Sequence, residues 1–448
     1  MTLDELRKKI EAGEIDTVAL VFPDVCGRLV GKRFTGKFFV DSVAEHGTHA
    51  CNYLITLSIE LDPWDDFTVS NWEKGFGDFH LRPDWDSLRL VPWLPGTALL
   101  LADVFHADQT PVEETPRSVL RRQIAALAER GFRCCIASEL EFFLYNCDYP
   151  AAYQARYHDL AASSEHRIDY NILQPSRDES IFREIRNLMP LAGVPIESSK
   201  GEWGRGQHEV NFSYADPLTM ADQHTFFKHG AKELVQAQGK CITFMAKPSA
   251  TEPGSSCHIH LSLFQNEKNA FWNPSHPEGS PTFRAFLGGL IKYAPDFALF
   301  FAPTINSYKR YLALTWAPTK MAWAFDNRTV GFRVVGSGAS FRLENRLPGA
   351  DANAYLAFAA MLAAGMAGIE EGLDCGAAYR GNAYVDSALT ALPRTLNEAA
   401  DSFSASRVTR AALGDHVVDF YTLTARHEIS EFQGAVTDWE RMRYFERI

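Results

Sequence analysis

Two carboxylates alternate on one predicted strand, Ser138-Glu139-Leu140-Glu141-Phe142-Phe143. Successive strand side chains point to opposite faces, so Glu139 and Glu141 share a face while Leu140 and Phe142 take the other. Like charges held side by side repel, so either a cation sits between them or one keeps a proton. A divalent ion answers that need. Alone, Glu-x-Glu on a strand is ordinarily a solvated edge; matching pieces downstream give it weight. Glu202-Trp203-Gly204-Arg205-Gly206-Gln207-His208-Glu209 sets two more glutamates around a Gly-x-Gly kink, where backbone can approach a ligand closely. A glycine turn with solvated acids is the plain alternative there. Cys257-His258-Ile259-His260-Leu261-Ser262 alternates again and puts His258, His260 and Ser262 on one face. Histidine is the commonest nitrogen ligand for metals. An arginine-rich block follows, from Tyr308-Lys309-Arg310 through Arg328 and Arg333 to Arg342-Leu343-Glu344-Asn345-Arg346. On a strand Arg342, Glu344 and Arg346 share a face, and arginines presented this way suit bidentate carboxylate or phosphate. A buried ion-pair network is the competing reading.

These side chains need rigid elements beneath them. Residues 2–12 read as a short helix, and Thr17–Phe22 and Leu29–Phe34 read as a hairpin across a Pro-Asp…Gly turn. Residues 55–80 are irregular, acidic and aromatic, and loops that long inside a compact domain are often functional. Leu88–Trp93 and Thr97–Asp103 read as further strands. Thr115-Pro116 opens a helix that Gly131 ends, with Val119, Leu120, Ile124 and Leu127 at helical spacing. Then come the Glu139 strand, a helix near 180–191, strands over 194–214, 241–247 and 257–264, helices near 281–299 and 352–371, and a mostly helical end over 387–448.

The 448-residue chain is long enough for two domains, and 46% apolar residues suit a large buried core. A formal charge of −12 with no basic run argues against binding a nucleic-acid backbone. The first residues lack the basic start and apolar core of a signal peptide. Ala354–Ile369 is the longest apolar run, but it is Ala- and Gly-rich and reads as a buried helix. Eight scattered cysteines with no Cys-x-x-Cys read as reduced thiols of a cytoplasmic protein. No phosphate-binding Gly-rich loop precedes a helix, so any nucleotide must be held by side chains and metals.

Together the four blocks resemble the glutamine synthetase family in order and spacing along nearly the whole chain. The resemblance implies an α+β fold, with a β-grasp domain over residues 1–105 and a catalytic domain over residues 106–448. In the latter a twisted antiparallel sheet forms a half-barrel around a funnel-shaped site. It implies ATP and two to three Mg2+ or Mn2+ ions per site, L-glutamate and an amine as substrates, and neither nucleic acid nor membrane as partner. A homo-oligomer is implied too, commonly a dodecamer of two hexameric rings with sites between neighbouring subunits. Glu141, Glu202 and Glu209 match the ligands of a first metal near glutamate, and Glu139, His258 and Glu344 those of a second that bridges ATP phosphates. Arg310 matches the grip on the substrate carboxylate and Gly254 a backbone contact to glutamate; Tyr170 belongs with the substrate contacts. Arg328 matches the arginine on the transferring phosphoryl group, and Arg346 the one at the glutamyl phosphate end. Glu197, Tyr214, His260, Ser262, Arg333 and Arg342 fall where nucleotide is contacted. The implied mechanism makes γ-glutamyl phosphate and then an amide, largely by positioning and electrostatics.

The nitrogen site departs from ordinary glutamine synthetases. Their flap carries a glutamate that helps bind and deprotonate ammonium; here Trp316 stands there, in Thr315-Trp316-Ala317-Pro318. Their Asp-Gly-Ser-Ser motif is missing, and the aromatic, acidic loop 60–79 lies in its place. Their phosphate-contacting lysine falls at Ala339. This looks like the γ-glutamyl-amine ligases of the family, which use polyamines, ethanolamine, alkylamines or anilines. Asp62, Asp65, Asp66 and Glu73 would suit a polyamine if they face the pocket, whereas the aromatic excess tilts toward an apolar monoamine. An ammonium-using synthetase and a catalytically silent relative are the alternatives; six filled ligand positions argue against silence.

Overall fold

The computed structural model describes residues 1–448. Six strands form a first sheet: β1 (Thr17–Pro23), β2 (Leu29–Thr35), β3 (Thr48–Cys51), β4 (Asp78–Pro83), β5 (Arg89–Leu90) and β6 (Thr97–Phe105). Their order is β2-β1-β6-β4-β3, with β5 also on β6. β1 and β6 run parallel at the centre. Both are nearly continuous apolar runs, as strands covered on both faces must be. The helix Leu3–Glu11 starts at a capping box between Thr2 and Glu5 and buries Leu6.

The second sheet has nine strands: β7 (Arg133–Tyr145), β8 (Ile196–Gly201), β9 (Gln207–Phe212), β10 (Cys241–Thr243), β11 (Cys257–Gln265), β12 (Lys268–Asn269), β13 (Trp323–Phe325), β14 (Phe332–Val335) and β15 (Arg342–Asn345). They run β13-β14-β15-β11-β7-β9-β8, with β10 on β7 and β12 on β11. Every pair is antiparallel except β13 with β14, which is parallel. With the first sheet this gives the expected α+β architecture, whose larger sheet is antiparallel apart from that one edge.

The core lies behind the second sheet. The helix Ala354–Glu370 is buried on nearly every side, as its apolar composition requires. Its glycines let the helix Pro281–Tyr293 approach closely: a Cβ on Gly365 would fall 2.1 Å from the Phe286 ring, and one on Gly368 2.2 Å from the Ala285 carbonyl. No helix is long and apolar enough to cross a membrane. The buried Arg117 pairs with Asp84 beside the first sheet at 2.5 Å and with Asp222 of the helix Pro217–Ala237 at 3.2 Å, so one guanidinium ties the layers together.

Three sequence expectations change in extent. Leu88–Trp93 pairs only at Arg89–Leu90, because Val91 to Gly96 turn back toward β6. The helix expected over 281–299 breaks after Tyr293, where Pro295 cannot continue it, and a short helix resumes at Ala298–Phe301. The strand expected over 241–247 ends at Thr243.

Candidate active site

Strand register lines up the chemistry. Glu141 on β7 faces Glu209 on β9, and Lys200 on β8 faces Glu209 in turn. Glu139 on β7 faces His258 on β11, His260 faces Glu344 on β15, and Arg333 on β14 faces Glu344. The acids, histidines and arginines therefore form one row across six neighbouring strands, above the apolar side chains that alternate with them. They line a cavity of about 1210 Å³. The residues that the family resemblance assigns to metals, nucleotide and substrates lie on it: Glu139, Glu141, Tyr170, Glu197, Glu202, Glu209, Tyr214, Gly254, His258, His260, Ser262, Arg310, Trp316, Arg328, Arg333, Arg342, Glu344 and Arg346.

Two groups of side chains fit divalent ions. The ligand atoms of Glu139, His258 and Glu344 lie within 4.8 Å of one another, as do those of Glu141, Glu209 and His258. His258 directs Nδ1 toward Glu139 at 3.3 Å, while its Nε2 is enclosed with no hydrogen-bond partner. The nitrogen that meets the carboxylates is Nδ1, which also lies 3.8 Å from a Glu344 oxygen, so an ion held here would take Nδ1 together with those oxygens. Glu202, expected with Glu141 and Glu209, lines the cavity but pairs with Lys200.

The electrostatics divide the row. Burial pushes the Glu139 carboxyl up, but hydrogen bonds from His258 and His260 more than offset it and hold the group well below the usual carboxylate range. Burial likewise opposes ionisation of Glu344, yet Arg346, His258, His260 and Arg333 bring it to about 2. Glu141 and Glu209 go the other way: burial first, then the charge of Glu202 on Glu141 and of Glu139 on Glu209, raises both. Glu141 still accepts hydrogen bonds from Gln207 Nε2 at 3.1 Å and from the Ser256 backbone N–H at 2.8 Å.

Loops complete the walls. The Gly-x-Gly turn between β8 and β9 is required, since Gly206 has φ +71° and a Cβ on Gly204 would meet the Phe143 ring at 2.7 Å. Arg310 is buried and donates to the carbonyls of Leu347 at 2.8 Å and Arg346 at 3.1 Å and to Ser256 Oγ at 2.7 Å. Trp316 stands on the opposite side with φ +66°, its ring edge-to-face with Trp203 at 5.8 Å. Asp169, Lys200, Trp203 and Gln207 also line the cavity and were not picked out from the sequence.

The acidic loop lies away from this cavity within its own chain. Asp62, Asp65, Asp66 and Glu73 do not reach the cavity of their own chain. Asp66 pairs with His427 at 2.7 Å, Trp64 stacks on that imidazole at 4.6 Å, and Asp65 accepts the Trp72 N–H at 2.6 Å. Trp64 and Phe67 of this loop pack on Phe420 and His427 of the helix Asp415–Gly434, while Trp72 stays exposed against Phe76.

Comparison with known proteins agrees with this geometry. A profile of the glutamine synthetase catalytic domain matches residues 113–444. Gamma-glutamylethanolamide synthetase GlnA4 of Streptomyces coelicolor is 45% identical over 450 residues, covering 100% of this chain and 96% of that protein. The glutamate–isopropylamine ligase of a Pseudomonas species is 36% identical, covering 99% and 98%. A solved structure of a GmaS/ADP complex superposes with a TM-score of 0.86 at 30% identity, covering 99% of each chain. The chain belongs to the glutamine synthetase family. Within it the chain stands with the amine-ligase branch and is an ATP-dependent carbon–nitrogen ligase.

Proposed function

We propose that this ligase joins the γ-carboxylate of L-glutamate to a small primary monoamine. The observation that carries the reading is Trp316: an indole, packed on a second indole, stands where the ammonium-using enzymes place a flap glutamate. The two relatives' names give an ethanolamide as product and isopropylamine as substrate, and both point to small primary monoamines.

Each step balances. A γ-carboxylate oxygen attacks the γ-phosphorus of ATP, the bond to the bridging oxygen breaks, and ADP leaves. The bound alkylammonium first gives one proton to water; its nitrogen then attacks the γ-carbonyl carbon of γ-glutamyl phosphate, the carbon–oxygen bond breaks, phosphate leaves and the nitrogen passes a second proton to water. Arg310 and the Gly254 backbone hold the glutamate end. Arg328 and Arg346 face the charge that develops on the phosphoryl and acyl groups. Glu197, Tyr214, His260, Ser262, Arg333 and Arg342 receive the nucleotide. Glu141, Glu202 and Glu209 would hold one Mg2+ or Mn2+ ion, and Glu139, His258 and Glu344 another. Such ions supply charge neutralisation on phosphate oxygens. Tyr170 and Trp316 flank the amine. We also propose a homo-oligomer, a dodecamer of two rings, working in the cytoplasm.

The test is phosphate release from ATP and glutamate with Mg2+, comparing ammonium with ethanolamine, isopropylamine, spermidine and aniline. Release with a small monoamine and little with ammonium is expected. Strong release with ammonium alone would return the protein to the glutamine-forming branch.

A further inference from the structure

Asp169, Lys200 and Trp203 line the cavity beside residues already assigned and have no role of their own so far. Lys200 Nζ lies 3.8 Å from an Asp169 oxygen and 3.9 Å from a Glu209 oxygen, pairs with Glu202, and stands 4.6 Å from the centre of the Tyr170 ring. A primary ammonium of the chain itself is thus held by carboxylates and an aromatic face, two of those carboxylates belonging to the proposed metal set and the third, Asp169, outside it. Arg328 is near enough to bear on the Asp169 charge. Beside them Trp203 meets Trp316, and the Arg167 guanidinium lies over the Trp203 ring at 4.5 Å. Tyr170 is 71% exposed, Trp316 49% and Trp203 37%. Tyr170 and Trp316 are also held at positive φ, 53° and 66°, a conformation that bulky residues keep only where surrounding structure enforces it. Three large rings open to solvent at one mouth call for a ligand to cover them.

We propose that Asp169, Lys200 and Trp203 select the amine, admitting one cationic nitrogen with a short uncharged body and turning away both ammonium and polyamines. The proposal rests on the ligase reading and adds the residues that set its specificity. Ammonium has no carbon to bury, so charge alone must hold it. Here Lys200 already lies against Asp169 and Glu202, with Arg328 also acting on Asp169, so a free ammonium ion gains little from those carboxylates. An alkyl or hydroxyalkyl group gains roughly 25 cal/mol per Å² against the indoles, and its nitrogen can take an aromatic face by cation–π attraction. A polyamine would carry a second cation outward toward Arg167 and Arg328, where like charge rejects it. Asp169 is the carboxylate at this mouth that lies outside both proposed metal sets, so it remains to orient the nitrogen.

The experiment uses the full-length protein with ATP, glutamate and Mg2+, and measures kcat and KM for ammonium, ethanolamine, isopropylamine and spermidine. Wild type is compared with Lys200→Met, Asp169→Asn and Trp203→Ala. Removing the lysine charge is expected to raise kcat/KM for ammonium, relative to isopropylamine, by about tenfold. Trp203→Ala raises the isopropylamine KM by about tenfold and leaves that for ammonium alone. Asp169→Asn raises KM for every amine and leaves KM for ATP and glutamate within about twofold. Calorimetric titration of isopropylamine into nucleotide-free protein gives a readout independent of turnover and is expected to weaken in Trp203→Ala. Lys200→Arg keeps the charge and should keep the wild-type preference; Lys200→Gln serves where Lys200→Met does not fold. An amine preference unmoved by Lys200→Met, Lys200→Gln and Trp203→Ala, in a protein that turns over amines, overturns this proposal and leaves the ligase reading standing. A wild type that releases no phosphate with any amine sinks the ligase reading itself.

Discussion

Glu141 and Glu209 face each other across β7 and β9, nearly excluded from solvent, and the only cation near that pair besides the arginines is Lys200. Burial and neighbouring glutamates raise both carboxyls, so each keeps a proton to higher pH than a free glutamate does. A divalent ion must displace those protons. Mg2+ binding to the metal-free protein is therefore expected to release protons and to tighten as pH rises between about 6 and 9. Calorimetry in buffers of different ionisation heat measures this directly, and an observed heat independent of buffer would show both groups already ionised. The same shift bears on stability. An acid whose folded pKa is raised favours folding least once it must ionise, so the metal-free protein should lose stability as pH climbs from about 4.3 through neutrality. Added Mg2+ should restore it. Glu141 was legible because its alternation with Glu139 on a strand needs only a period of two, and Glu209 because it stands with Glu202 around a Gly-x-Gly kink. Lys200 obeys the same alternation with Glu202, but a lysine two residues before an acid reads as an ordinary surface charge. Asp169 sits on an irregular segment with no period to read, and Trp203 shows its role only once Trp316 is beside it.

At the scale of elements, the loop from Lys247 to Gly254 connects the two halves of the substrate end. Lys247 donates to the Glu252 carbonyl, Glu252 accepts from Arg205 at 2.8 Å, and Gln207 donates to the Gly254 carbonyl at 3.0 Å. The loop thus pins the Gly-x-Gly turn to the floor of the cavity. Gly254 has no room for a side chain: a Cβ would fall 2.6 Å from the Ala246 carbonyl oxygen and 2.6 Å from Cγ of Arg310. Gly254→Ala must push Arg310 off the carboxylate it is assigned to hold. A displacement of about 1 Å at a positioning group can cost on the order of a hundredfold in rate. The expected signature is a glutamate KM at least about tenfold higher with the ATP KM little changed. Equal rises in both would place the defect in the fold of the cavity and not at the glutamate end. Element type and order were readable because long runs with clear periodicity fix them, as in Pro116–Glu129 and Ala354–Glu370. What escaped was set by contacts remote in sequence. Within its own chain loop 60–79 packs on His427, Glu431 and Phe420, more than three hundred residues away, which no local pattern in its acids and aromatics announces.

The whole molecule leaves an apolar surface without a partner in its own chain. The helix Asp438–Tyr444 and its flanks expose Val436 at 64%, Trp439 at 63%, Met442 at 81%, Phe445 at 90% and Ile448 at 96%. Trp439, Met442 and Phe445 recur every third residue and so share a stripe about 120° wide on the helix. A capping box at Thr437 and Glu440 fixes where that helix starts, which argues that the segment is built to be presented as a helix and not as a loose end. Hydrophobic side chains on one helical face gain most by entering a groove of another molecule, and a second copy of this chain is the occupant that the proposed assembly of rings supplies. Deleting residues 436–448 is expected to lower the mass of the assembly, read by light scattering or native mass spectrometry, while the sheet that holds the active site stays intact. The assembly should also strengthen in sulfate, which favours apolar burial, and not weaken as a contact made of ion pairs would. A truncated chain that forms particles of the original mass would place the contacts between copies elsewhere. A truncated chain that dissociates yet still turns over glutamate and amine would show that each site is complete within one chain, whereas dissociation with loss of turnover would tie catalysis to the neighbouring subunit.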